Sequence, residues 1–178
     1  SSIFHRQIEF IQNSGIVTAM VGLLNAPRNT RLYQRLKQEK RLLKGFSGDN
    51  TDFSINFLPR MDYQELIRGY QRILQSIYAC KPYTRRVQEF LRQKARCLKD
   101  LRRSGKTPPP SSVPLRWYHI KAAVRAFFVL GIFDRGRKYY WKLVFWSLFR
   151  CPRLIPQAIT FAIYGFHFRR VFHTSHAR

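Results

Sequence analysis

A nine-residue apolar run, IVTAMVGLL at residues 16–24, sets the tightest limit on the fold. It is rich in β-branched residues and lies between a glycine and the turn residues 25–30, a pattern that favours a buried strand of a parallel sheet. Helical spacing of apolar residues precedes it in residues 3–13 and resumes from residue 31, with Asn29 or Thr30 as a suitable N-cap. Helix, strand, turn and helix in this order predict the last piece of a sheet whose other strands are absent from this chain.

After Pro59 the pattern becomes helical. Asp62 and Glu65 form a D-x-x-E variant of the capping box, and apolar residues then recur at helical spacing. Three consecutive prolines, at 108–110, indicate an extended linker. Three further helices are predicted after it. The predicted organisation is a terminal helix–strand–helix unit, a connecting loop, a two-helix region, a Pro/Ser linker and a basic aromatic helical tail, over residues 1–45, 46–61, 62–103, 104–114 and 115–178.

Positive charge is concentrated toward the end of the chain. The sequence has 33 Lys and Arg against nine Asp and Glu, and from Gly105 onward thirteen cations stand against a single acid, Asp134. Such an excess favours an anionic partner, whether nucleic acid, anionic lipid, an acidic domain or a phosphorylated substrate. Because the cations of the tail are mixed with Trp and Tyr, three interpretations stay open: a membrane surface, a nucleic-acid surface, and a packed domain with solvated cations. The apolarity of residues 140–149 favours lipid over nucleic acid.

Two stretches of the chain resemble a known enzyme family. Residues 3–43, IFHRQIEFIQNSGIVTAMVGLLNAPRNTRLYQRLKQEKRLL, resemble the end of the barrel in cobalamin-binding radical S-adenosylmethionine (SAM) enzymes. Residues 47–91, SGDNTDFSINFLPRMDYQELIRGYQRILQSIYACKPYTRRVQEFL, are similar to the uncharacterised C-terminal domain of such enzymes, including the hopanoid methylase-like group. The resemblance implies an α+β fragment, mostly α, in which the last βα unit of a partial barrel is followed by an all-helical C-terminal domain.

The resemblance places the chemistry elsewhere in a parent polypeptide. It implies a 4Fe–4S cluster, S-adenosylmethionine and cobalamin, held by N-terminal cobalamin-binding and radical SAM domains that are the partners of this chain. The sequence itself has neither the CxxxCxxC cluster motif nor the D-x-H-x-x-G cobalamin motif, so we expect no cofactor and no catalytic residue here.

The expected function is that of an accessory module which shapes the barrel mouth. The parent would be a cobalamin-dependent radical SAM enzyme, with a methyltransferase acting on a lipid-like substrate as one form of it. The alternative is a non-enzymatic basic helical module that binds an anionic membrane surface or, less favoured, nucleic acid. We expect a cytoplasmic location, either free or peripheral at the membrane.

Candidate site residues follow from the barrel that the resemblance implies. Residues at the C-terminal ends of barrel strands line the pocket, and backbone N–H groups at the start of a helix suit an anion. The candidates for contact with a cofactor or substrate are Asn25, Pro27, Asn29 and Thr30. The structural alternatives are a turn and a helix cap.

The loop after the barrel supplies a second group of candidates, for a lid over its mouth. They are Asp49, Asn50 and Asn56, and the structural alternative is Asx-turn chemistry. The three cysteines and five histidines lack metal-ligand spacing, so no metal site is predicted.

Overall fold

The computed structural model describes residues 2–43, 54–105 and 117–174, with the backbone alone for residues 118–120, 173 and 174. This part of the chain is mostly helical. The α-helices are α1 (Ser2–Asn13), α2 (Arg31–Gln38), α3 (Tyr63–Tyr78), α4 (Cys80–Arg103), α5 (Trp117–Phe128), α6 (Arg137–Arg150) and α7 (Ile155–Thr174). A π-helical turn, Val129–Phe133, continues α5, and a 3-10 turn, Pro152–Leu154, leads into α7.

The helix boundaries follow local sequence signals. Thr30 caps α2, since its hydroxyl accepts a hydrogen bond from the N–H three residues on at 3.2 Å. Asp62 caps α3 in the same way at 2.9 Å. Both predicted caps are thus confirmed. Only Ala79 separates α3 from α4, and Pro82 lies in the first turn of α4, where its missing N–H removes no helical hydrogen bond.

The predicted segmentation of the tail into three helices is confirmed by α5, α6 and α7. The first break follows the π-helical turn and ends at Gly136, and the second begins at Cys151. Most of the predicted Pro/Ser linker lies in residues 106–116, outside the described part of the chain.

Helices α3 and α4 form the centre of the main core. Ile73, Ile77, Val87 and Leu91 are almost fully buried between them and their neighbours. Helix α1 packs on α3, while α6 and α7 cover α4. A smaller cluster gathers Ala126, Leu130 and Tyr140, where the π-helical turn meets α6 and α7. Ala162 of α7 packs against both clusters and so connects them.

The predicted strand at residues 16–24 has no regular secondary structure, bends at Val17 and belongs to no sheet. Within the described residues there is no β-strand, and one isolated antiparallel bridge joins Leu42 to Phe57. The all-helical character of the C-terminal domain is confirmed over the same residues, whereas the βα unit of a partial barrel is not observed. Burial along residues 16–24, the extended segment, nevertheless alternates with the two-residue period of a strand. Val17, Ala19 and Val21 face inward, while the residues between them are exposed.

Candidate functional site

The inner edge of the extended segment is held by tyrosine hydroxyls. The Tyr78 hydroxyl accepts from the Ala19 N–H at 3.3 Å and donates to the Ala19 carbonyl at 2.8 Å. The Tyr70 hydroxyl donates to the Val21 carbonyl at 3.0 Å. Both rings are buried, and burial raises the pKa of each phenol. Side chains of α3 therefore take the place that a neighbouring strand would have in a sheet.

The outer edge of the same segment is open. Within the described residues, the backbone N–H and C=O groups of Thr18, Met20 and Gly22 make no hydrogen bond. The side chains on this side are apolar as well, with Ile16 and Leu24 exposed and Met20 exposed to 92%. An extended edge with free backbone groups and apolar side chains is the surface on which another strand can add.

A buried arginine fixes the start of the segment. Arg86 of α4 is 2% exposed, and it donates to the carbonyls of Ile16 at 3.0 Å, Val17 at 3.4 Å and Ile77 at 2.6 Å. Its guanidinium lies 5.6 Å from the centre of the Tyr83 ring. No carboxylate neutralises it within the described residues, and burial lowers the pKa of Arg86. Backbone dipoles and a ring face hold this cation in place.

Asn25 and Asn56, predicted as separate candidates, form one hydrogen-bonded pair. The Asn56 amide accepts from the Ala26 N–H at 2.8 Å and donates to the Ala26 carbonyl at 2.7 Å. In return, the Asn25 side-chain oxygen accepts from the Asn56 N–H at 3.0 Å. Asn56 is buried, so both polar ends of its amide are used by the protein itself. The pair joins the end of the extended segment to residues 54–58.

The turn after this pair has the conformation that its sequence favours. Asn29 adopts a φ of +66°, in the left-handed region that Asn tolerates. The Thr30 hydroxyl donates to the Pro27 carbonyl at 2.7 Å in addition to capping α2. Pro27 and Asn29 are exposed, and their contact with a cofactor or substrate stays a prediction. Asp49 and Asn50 lie outside the described residues.

Sequence reasoning missed a polar cluster at the junction of α4, α6 and α7. Arg169 pairs with Asp134 at 2.8 Å and also contacts the Cys80 sulfur. Cys80 and Arg169 line an open cavity of about 250 Å³ beside Tyr78 and Phe172. The three polar residues come from distant parts of the sequence, so no spacing signal could have shown them. Among the described residues, no three His, Cys, Asp or Glu side chains are placed to bind a metal together.

The basic aromatic tail has a group of contacting aromatic rings on α5 and α6. The ring centre of Trp141 lies 5.5 Å from that of Phe127 and 5.4 Å from that of Phe145, while Phe127 also contacts Phe128. Phe127, Phe128 and Phe145 are exposed, so these rings form a continuous surface patch. None of the helices in the described ranges combines the length and the apolarity needed to cross a bilayer.

Comparison with known proteins places most of the chain in one family. No curated protein and no solved structure matches the sequence. A family model described as "Domain of unknown function (DUF4070)" matches residues 30–178, which include α2 and every later helix and leave out α1 and the extended segment. Since this match covers most of the sequence, the chain belongs to the DUF4070 family, a domain of unknown function.

Proposed function

We propose that this chain is the C-terminal accessory module of a cobalamin-dependent radical SAM enzyme, in which residues 16–24 add a strand to the edge of the catalytic barrel. The observation that carries the proposal is the one-sided edge of this segment. Its inner groups are bonded to Tyr70 and Tyr78, and its outer groups at Thr18, Met20 and Gly22 have no hydrogen-bond partner among the described residues. A segment whose backbone is bonded along one edge can pair with one further strand, along its other edge.

The extent of the family match supports the same division of the chain. The matched residues begin at 30, so α1 and the extended segment lie before the DUF4070 domain. In the proposal they are the end of the barrel, and the helical domain supports them from behind. The turn at Asn25 to Thr30 then follows the C-terminal end of the last strand, where barrel enzymes place their ligand contacts. Methyl transfer to a lipid-like substrate is the reaction that we propose for the parent.

The cofactors of such an enzyme do not fit this chain. The sequence has no CxxxCxxC motif, and the described residues offer no group of three metal-ligating side chains. Cluster, S-adenosylmethionine and cobalamin would therefore be bound by the preceding domains of the parent polypeptide. This chain would shape access to them, with Asn25, Pro27, Asn29 and Thr30 at the rim and Asp49, Asn50 and Asn56 in the adjoining loop.

The first test is the size and metal content of the native polypeptide. An antibody raised against residues 47–91 should detect, in the source cells, a product larger than this chain by roughly 200–400 residues, about two more domains. The polypeptide isolated with it under anaerobic conditions should contain iron and cobalt. A native product of the length of this chain, free of both metals, would contradict the proposal.

The second test concerns the edge itself. Met20→Pro removes an N–H that makes no hydrogen bond to any described residue, so the melting temperature of the chain alone should stay nearly constant. In the parent polypeptide the same change should break a strand pair and lower cluster retention, whereas Met20→Leu should not. Amide exchange at residues 18–22 should also be slower in the parent than in this chain. Equal exchange in both would show that no strand covers the edge.

A further inference from the structure

A second surface of the chain combines exposed aromatic side chains with unpaired cations. Its most exposed rings are Trp117 at the start of α5, Phe133 in the π-helical turn and Phe149 near the end of α6, at 73%, 78% and 81%. The contacting rings of Phe127, Trp141 and Phe145 lie on the same helices. Exposed aliphatic side chains lie on the same helices and the same turn. They are Val124, Ile132 and Leu148.

Cations accompany the apolar residues along both helices. On α5, Lys121 and Arg125 follow Trp117 by about one and two helical turns and so lie on the same side. On α6, Lys138 and Lys142 flank the stripe that contains Phe145. Arg135, Arg137 and Arg150 are exposed near the ends of α6. No carboxylate pairs with any of these seven cations within the described residues, because Asp134 is engaged by Arg169 at 2.8 Å.

We propose that this face of α5, the π-helical turn and α6 docks on the surface of an anionic lipid bilayer. Aromatic side chains would enter the boundary between headgroups and acyl chains, and the Lys and Arg side chains would reach the lipid phosphates. None of the described helices is long and apolar enough to cross a bilayer, and the proposal places this face on the surface of one leaflet. This surface would act in the same way whether or not the chain is part of a radical SAM enzyme.

The mixture of side chains favours lipid over the other anionic partners. Nucleic acid is bound by phosphate contacts and by stacking of bases on rings, and exposed Val124, Ile132 and Leu148 offer nothing for stacking. An acidic protein domain would neutralise the cations but would leave the apolar patch against charged side chains. A bilayer surface offers an anionic layer and an apolar layer within a few ångströms, which fits both parts of the face.

The test uses the full chain and vesicles of defined lipid composition. Vesicles of phosphatidylcholine with phosphatidylglycerol should sediment the protein, and vesicles of phosphatidylcholine alone should sediment much less. Trp117 and Trp141 should shift their fluorescence to the blue on binding and should be quenched by brominated acyl chains. Part of the binding should persist at 1 M salt, where the Debye length is about 3 Å, because apolar insertion is not screened.

Two pairs of substitutions separate the apolar from the electrostatic contribution to vesicle binding. Phe133→Ser with Phe149→Ser keeps every charge and should weaken vesicle binding at least tenfold and abolish the salt-resistant part. Lys138→Gln with Lys142→Gln should weaken binding to anionic vesicles by about fivefold per cation. These side chains are exposed, so the circular dichroism spectrum of each variant should match that of the unsubstituted chain.

Matched controls lie in the N-terminal part of the chain. Phe10→Ser with Ile3→Ser removes two exposed apolar side chains, and Lys37→Gln with Lys40→Gln removes two exposed cations. Both control pairs should bind vesicles as tightly as the unsubstituted chain does. The proposal is overturned if anionic vesicles fail to bind, if the control pairs lose as much affinity as the test pairs, or if single-stranded DNA binds more tightly than vesicles and ignores the Phe substitutions.

Discussion

Replacing Arg86 by methionine tests how the extended segment is attached to the helices. The substitution removes the charged donor to the carbonyls of Ile16, Val17 and Ile77 and keeps a side chain of similar apolar length. Each of the two shorter bonds contributes roughly 1.5–3 kcal/mol as a charge-assisted hydrogen bond. Release of a buried, desolvated guanidinium offsets part of that loss. We therefore expect the free energy of unfolding to fall by about 2–4 kcal/mol.

The measurement is urea and thermal unfolding followed by circular dichroism. For a chain of this length, about 2–4 kcal/mol corresponds to a melting temperature lower by roughly 5–15 °C. Arg85→Met is the matched control, since Arg85 is the exposed neighbour on the same helix and should change stability by less than about 0.5 kcal/mol. Amide exchange at residues 16–21 should accelerate in the Arg86 variant alone. If Arg86→Met proves as stable as Arg85→Met, the guanidinium does not hold the segment, and the reasoning is wrong.

Three further predictions concern the same attachment. Tyr78→Phe removes two hydrogen bonds to Ala19 and should lower the free energy of unfolding by about 1–2 kcal/mol, whereas Tyr164→Phe, at an exposed ring, should leave the melting curve unchanged. Asn56→Ala leaves both backbone groups of Ala26 unpaired and should cost about 2–3 kcal/mol in urea unfolding, with exposed Asn13→Ala as the control. Burial raises the pKa of Tyr70, Tyr78 and Tyr83, so the folded chain keeps these protons to higher pH than the unfolded chain. Stability should hold below about pH 10 and fall above it, with phenolate absorbance rising together with unfolding.

Local signals predicted the helical part of the fold well. The caps at Thr30 and Asp62 were readable because a cap depends on one side chain and the N–H groups of the next turn. The breaks before α6 and before α7 were equally local, since glycine and proline disturb the helix where they occur. Lys81 and Pro82 predict a break between the two helices at that point, a few residues after the observed break at Ala79, because proline is acceptable in the first turn of a helix.

Long-range partners explain what the sequence could not reveal. The run at residues 16–24 has strand-like composition and alternates in the structure, but its hydrogen-bond partners are side chains about 50 to 70 positions away, at Tyr70, Tyr78 and Arg86. Asn25 and Asn56 were each predicted to face a ligand, and no local pattern shows that the Asn25 side chain accepts a hydrogen bond from the Asn56 N–H, 31 positions away. The contact between Cys80 and Arg169 spans 89 positions and carries no sequence signature at all.

Several buried polar groups of the helical domain find hydrogen-bond partners in the extended segment that lies against it. Tyr78 and Arg86 belong to the residues matched by the DUF4070 family, whereas backbone groups that they bind at residues 16–19 precede the matched region. Without that segment, Arg86 would keep its hydrogen bond to the Ile77 carbonyl but lose those to Ile16 and Val17, and the Tyr78 hydroxyl would lose both of its bonds to Ala19. A domain that began at residue 30 would therefore lack these partners, and we infer that the folding unit includes backbone from the preceding region. That dependence is what an accessory module joined to the edge of a larger sheet requires, because the same segment is bonded to the helices on one side and open to a strand on the other.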